Sequence, residues 1–99
     1  MHYTIAYSPD TQDHFHYLTV RQQAIVLDAV DQQLAYQPIV ETRNRKPMRP
    51  NPLAPWELRI GNLHVYYDVL EDPDPLVAIR AVGIKRRNRA FIGGKEFPL

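Results

Sequence analysis

Residues 51–69 read Asn51-Pro-Leu-Ala-Pro-Trp-Glu-Leu-Arg-Ile-Gly-Asn-Leu-His-Val-Tyr-Tyr-Asp-Val69. Trp56, Leu58 and Ile60 alternate with Glu57 and Arg59, and Leu63, Val65, Tyr67 and Val69 alternate with His64, Tyr66 and Asp68. Side chains two apart on a strand share a face, so each run predicts a strand with one apolar side. Gly61-Asn62 between them predicts a tight turn and an antiparallel hairpin. The apolar side belongs on a core. The other side is expected to display Glu57, Arg59, His64, Tyr66 and Asp68 together, either as a working surface or as an ordinary solvated face.

Upstream, residues 37–55 hold Pro38, Pro47, Pro50, Pro52 and Pro55 and show no clear period. Proline blocks regular pairing, so this segment is expected to be a long extended connection, functional or a strap across a sheet edge. Further upstream, His2–Tyr7 is rich in β-formers and predicts a first strand. Ser8-Pro9-Asp10 then predicts a helix start, with Ser8 as N-cap and Pro9 at the first helical position. Phe15 and Leu18 give that short helix an apolar edge. Thr19-Val-Arg-Gln22 is a capping-box pattern opening a second helix. Its apolar side is read as Val20, Leu27, Val30 and Leu34, with Ala24 and Ile25 nearby. Downstream, Leu76–Ile84 is nearly all apolar, as a central strand covered on both faces would be. Lys85-Arg-Arg-Asn-Arg89 follows, then Ala90–Ile92 as a short edge strand and Gly93-Gly94 opening a frayed tail. The order is β-α-α-β-β-β: an α+β fold, an antiparallel-rich twisted sheet with an N-terminal helical hairpin on one face.

Ninety-nine residues make one domain, 1–99, with a modest core. The chain has no cysteine, so disulfides and thiolate metal sites are excluded. No apolar run reaches the length of a membrane span and no signal-peptide pattern is present, so the expected location is the cytoplasm. His14-x-His16 is a poor metal pair, since residues two apart on a helix do not share a face, and neither a metal nor another cofactor is expected. The net charge of +1 hides a segregation. Residues 1–36 and 60–82 each set one arginine against four acids. Residues 41–59 hold Arg43, Arg45, Lys46, Arg49 and Arg59 against two acids, and residues 83–99 hold Lys85, Arg86, Arg87, Arg89 and Lys95 against one. Folded onto one side, these two blocks would suit a polyanion. As separate solvated runs they would not.

The chain resembles the RelE/ParE toxin superfamily, the toxin half of bacterial type II toxin–antitoxin pairs. The resemblance rests on the strand end at Tyr7 with Ser8 and Pro9, the helix with Arg21, the Asn51–Gly61 block, Val65-Tyr-Tyr-Asp-Val69, and Ala81-Val-Gly-Ile-Lys85. It implies a RelE-like fold, an antitoxin partner, and one of two activities: cleavage of mRNA on the ribosome, or poisoning of DNA gyrase without nuclease chemistry. It also implies growth arrest through inhibited translation in the first case. Carried over by position, Arg59 and Lys85 keep basic site residues. His64 stands where many members have arginine, Glu57 where nuclease members have lysine, and Phe91 near a tyrosine whose hydroxyl it lacks.

RNA cleavage through its own 2′-hydroxyl needs a base, an acid and positive charge on the phosphorane, and no metal. His64 is the candidate base or acid near neutral pH, with Glu57 as a complementary base. Arg59 and Lys85 are candidates for stabilising the developing charge. Arg43, Arg45, Lys46, Arg49, Arg86, Arg87 and Arg89 are candidate phosphate contacts, and Tyr66 a candidate stacking surface for a base. The alternatives are a surface Glu57–Arg59 pair, an inert His64, and basic loops that meet an acidic antitoxin. Two further readings stay open: a gyrase inhibitor, favoured by Glu57 and Phe91, and a non-toxic partner-binding member.

Overall fold

A computed structural model describes residues 2–98. Its elements are β1 (Thr4–Tyr7), α1 (Asp10–His16), α2 (Val20–Leu34), β2 (Arg45–Pro47), β3 (Trp56–Ile60), β4 (Leu63–Leu70), β5 (Leu76–Arg86), β6 (Arg89–Ile92) and β7 (Lys95–Phe97). The strands form one sheet in the order β2-β3-β4-β5-β6-β7, antiparallel along that path, and β1 adds to β5 in parallel. The expected α+β order holds, with the short strands β2 and β7 added at the two edges.

The β3–β4 hairpin turns at Gly61, whose φ of +60° suits a residue without Cβ. Its register sets Trp56 opposite Tyr67, Glu57 opposite Tyr66, Leu58 opposite Val65 and Arg59 opposite His64. Leu58, Val65, Tyr67, Val77, Ile79 and Val82 are fully buried and meet Val26, Val30 and Leu34 of α2. Tyr67 closes the core by donating its hydroxyl to the Pro38 carbonyl at 2.6 Å. Trp56 packs on this core beside Tyr67, as its parity predicts, with ring centroids 6.2 Å apart.

The sheet edge explains how α1 is fixed. β1 pairs with residues 76–79 of β5 and β6 with residues 83–86, on the same side of the strand. Between them β5 carries a bulge, since Tyr66 faces Ala81 and Tyr67 faces Ile79, leaving Arg80 over. Backbone groups in that gap still need partners. The Ser8 N–H donates to Ile79 O at 2.9 Å, the Ser8 hydroxyl to Arg80 O at 3.3 Å, and the Val82 N–H to His14 Nδ1 at 3.3 Å. Ser8 is thereby engaged with β5 and does not cap α1, whose N-cap is Pro9 without a side-chain bond. The capping box of α2 forms as expected: Thr19 and Gln22 exchange bonds of 2.9 and 3.1 Å.

Three further expectations are corrected. The buried side of α2 is Val26, Ala29, Val30 and Leu34, while Val20 is 82% exposed and Leu27 and Ile25 also reach solvent. The helix is rotated because the sheet takes Val26 and Ala29, which period alone does not rank above Leu27. The proline-rich segment is more than a strap: Arg45–Pro47 pairs with β3. Gly93-Gly94 is a turn, both residues at positive φ, and leads into β7 paired with β6.

Candidate functional site

The face of the sheet away from the helices carries the predicted group. Arg59 and His64 stand directly across β3 and β4, and Glu57 is two residues before Arg59. Glu57 accepts from Arg59 Nε at Oε1 and holds His64 Nδ1 at Oε2, both at 2.7 Å. Both carboxylate oxygens are therefore engaged by cations or cation-capable groups. Burial pushes the Glu57 pKa up, but the hydrogen bonds and charges of His64 and Arg59 prevail and hold it at about 2. Glu57 is thus held as an anion, with both oxygens already engaged by His64 and Arg59. The geometry is that of a carboxylate orienting an imidazole through Nδ1, the arrangement that commits the other ring nitrogen to proton transfer.

Exposure differs from expectation. Glu57 and His64 are each 4% exposed and Tyr66 1%, whereas the Arg59 side chain keeps 47%. The cause is a second, small core on this face. Tyr66, Ala81, Ala54 and Ile92 form it, with Met48, Leu53 and Phe97 packed on. On Tyr66 of β4 and Ala81 of β5 it gathers residues of the proline-rich segment, read in the sequence as a connection, with Ile92 of the expected edge strand and Phe97 of the expected tail. Tyr66 lies within this core, its ring 6.3 Å from that of His64, and offers no open stacking surface. Burial first, then the charge of Glu57, push the Tyr66 hydroxyl pKa up, so it stays protonated.

The two basic blocks do not gather on one face. Consecutive strand residues point to opposite sides, so a run of cations is divided. Lys46 lies opposite Glu57 on the Arg59 face and pairs with Glu41 at 3.3 Å. Lys85 shares that face too, two residues along β5 from Gly83, which stands opposite His64. Arg45 turns to the helix side and donates to Gln33 O at 2.6 Å and Val40 O at 3.0 Å, satisfying carbonyls at and beyond the end of α2. Arg86 and Arg89 face one another across β5 and β6, also on the helix side, and Arg87 sits at the tip of their turn. Arg43 and Arg49 lie in the connection before β3. Arg59, Lys46 and Lys85 are therefore brought together, and Arg45, Arg86, Arg87 and Arg89 are not part of that group.

Among the described residues no three His, Asp or Glu side chains converge as a metal set. No described helix is long and apolar enough to cross a membrane.

No family model matches the chain, and no curated protein matches it by sequence. Among solved structures, the toxin–antitoxin complex RelBE2 from Mycobacterium tuberculosis contains a chain that superposes with a TM-score of 0.71. The identity is 24%, and the match covers 86% of this chain and 100% of that one. The fold is RelE-like.

Within the RelE-like fold, the residue that sequence reasoning misses is His14. In the sequence it stands out only as half of a poor metal pair, yet its Nδ1 accepts from the Val82 amide and so joins α1 to the central strand. Burial lowers its pKa against the opposing pull of Asp10 and Asp13, in keeping with a neutral ring that accepts a hydrogen bond. Phe91, beyond lacking a hydroxyl, pairs with Ile84 and so faces the helix side, away from His64.

Proposed function

We propose that this chain is the toxin half of a toxin–antitoxin pair, held inactive by a protein antitoxin, and that its target meets the sheet face around Arg59. The observation that carries the reading is the RelE-like fold, matched over the full length of a chain from a toxin–antitoxin complex. The activity we infer is metal-independent cleavage of mRNA, in the ribosomal decoding site. Glu57 holds the His64 ring by Nδ1, leaving Nε2 to take the 2′-hydroxyl proton. Attack of that oxygen on phosphorus breaks the bond to the 5′-oxygen, which takes a proton from water, and leaves a cyclic phosphate and a free 5′-hydroxyl. Arg59, paired through Nε and with its terminal nitrogens free of Glu57, stabilises the charge on the phosphorane, and Lys85 adds to the field from β5. On this reading RNA reaches His64 by displacing part of the small core around Tyr66, whose ring lies beside that of His64.

The test is induction in bacteria followed by mapping of transcript ends. Discrete new ends that vanish in a folded Arg59→Ala variant are the expected result, with cleavage lowered about 10²–10³-fold. Normal cleavage and growth arrest by that variant would take Arg59 out of the site.

Two observations favour a second reading, a non-enzymatic inhibitor of DNA gyrase. His64 is closed off at 4% exposure, and Phe91 supplies no hydroxyl and faces away. DNA breaks without new transcript ends would select it.

A further inference from the structure

On the helix side of the sheet, where β5–β7 run out beyond α1, a cleft of about 180 Å³ opens between α1 and the C-terminal strands. Tyr17, His14, Phe91 and Arg86 line it together with the Gly93-Gly94 turn. A more open hollow lined by Arg86, Arg87, Arg89 and Phe91 adjoins it, so Phe91 and Arg86 belong to both. This place is on the opposite face from His64 and has no role in the chemistry proposed there.

We propose that the cleft binds a nucleoside phosphate, its base against Tyr17 and Phe91 and its phosphate on Arg86, Arg87 and Arg89. Four observations carry this. Among the described residues neither Arg86 nor Arg87 has an acidic partner within 4.0 Å, and Arg89 has only Glu96 at 3.5 Å. Three cations held on and beside one two-residue turn with so little compensation favour an anion. Tyr17 is 62% exposed although it lines the cleft, so its ring has a face to offer. The His14 ring is fixed by the Val82 amide at Nδ1, which leaves Nε2–H as a donor, and its Cδ2–Nε2 edge lies against Gly93. Finally, the glycines shape the cleft: a Cβ on Gly94 would sit 2.5 Å from Tyr17 Cε1, and one on Gly93 3.3 Å from His14 Cδ2. The volume is below the several hundred Å³ of a site that encloses a whole ligand, which fits a single base with its phosphate outside on the arginines.

The ligand chemistry has two sources, a free nucleotide or one nucleotide of a single strand. The test titrates the full chain with adenosine diphosphate and, separately, with labelled penta-adenylate as RNA and as DNA. Binding by the diphosphate identifies a free nucleotide, and binding by the oligomers alone identifies a strand. In either case Phe91→Leu and Tyr17→Leu should each weaken binding about 5- to 150-fold. For a strand, Arg86→Gln should also make log K less steep in log salt by about 0.7 for each phosphate it no longer neutralises. Tyr17 is exposed, so its variant keeps the fold and decides the matter if Phe91→Leu does not. No binding by any probe overturns the proposal. So does binding that ignores Tyr17, or full displacement by an acidic peptide of equal charge. Loss of nucleotide binding with transcript cleavage intact faults the RNA-cleavage reading in no way, and the converse leaves this site standing.

Discussion

Glu57 shows how alternation can place a residue without saying what it touches. Alternation puts it beside Arg59 on the non-core face, where it is. Its oxygens are both taken, so it acts by holding His64 and Arg59 in register. Glu57→Ala would leave His64 without its partner inside the small second core. The half-exposed, solvated Arg59 softens the loss, so we expect about 2–3 kcal/mol, below the usual range for breaking a buried pair, measured as a shift in urea unfolding. Arg59→Ala, at a half-exposed position, should cost under about 1 kcal/mol, so that its effect on activity can be separated from stability. His14→Phe fills the same space but leaves the buried Val82 amide without an acceptor. It should destabilise by about 1–3 kcal/mol in the same assay.

At the scale of elements, the β5–β6 hairpin has a conflict between residue and conformation. Arg87 and Asn88 have φ of +50° and +66°, the pair of left-handed residues of a two-residue hairpin turn. Asn tolerates this region and arginine does so poorly. Arg87→Asn should raise stability by about 0.5–1 kcal/mol, read as a higher melting midpoint. A wild-type turn no less stable than the variant would mean that Arg87 is not strained. On the same hairpin Gly83 is needed for close approach, since a Cβ there would lie 2.4 Å from Phe91 O and 2.8 Å from Ile92 Cγ1. Gly83→Ala should therefore loosen β6 from β5, with faster amide exchange along Arg89–Ile92. The apolar pattern of Leu76–Ile84 gives no hint of this, because a glycine in an apolar run carries no sign of what lies over it. Arg45 makes the same point about charge. By composition it belongs with the phosphate-binding cations, but its two bonds to carbonyls at and beyond the end of α2 are a use that only the meeting of β2 with α2 creates.

For the whole molecule, acid should act in two stages. His14 has its pKa lowered in the folded state, so the unfolded chain binds the proton first. Its contribution is complete above the ordinary value of 6.5 and is lost as pH falls below it. Glu57, depressed from 4.5 to about 2, contributes fully above 4.5 and loses its contribution between 4.5 and 2. Urea midpoints followed against pH should show both declines. His14→Phe should remove the first and Glu57→Gln the second. Of the architecture, the hairpin, the central strand, the helical pair and the α2 capping box were legible because alternation and capping are local signals. The inward side of α2, the partners of Ser8 and the second core were not. Each depends on which distant surface arrives, and periodicity does not encode that. By itself the sequence determined that Arg59, Glu57 and His64 share one side of one hairpin, because strand geometry alternates without exception over so short a run. Tertiary structure alone decided that Glu57 and His64 are covered while Arg59 stays open. Burial is set by what packs on a face, and here the covering segments are a proline-rich connection and a C-terminal hairpin with no pattern of their own to announce it.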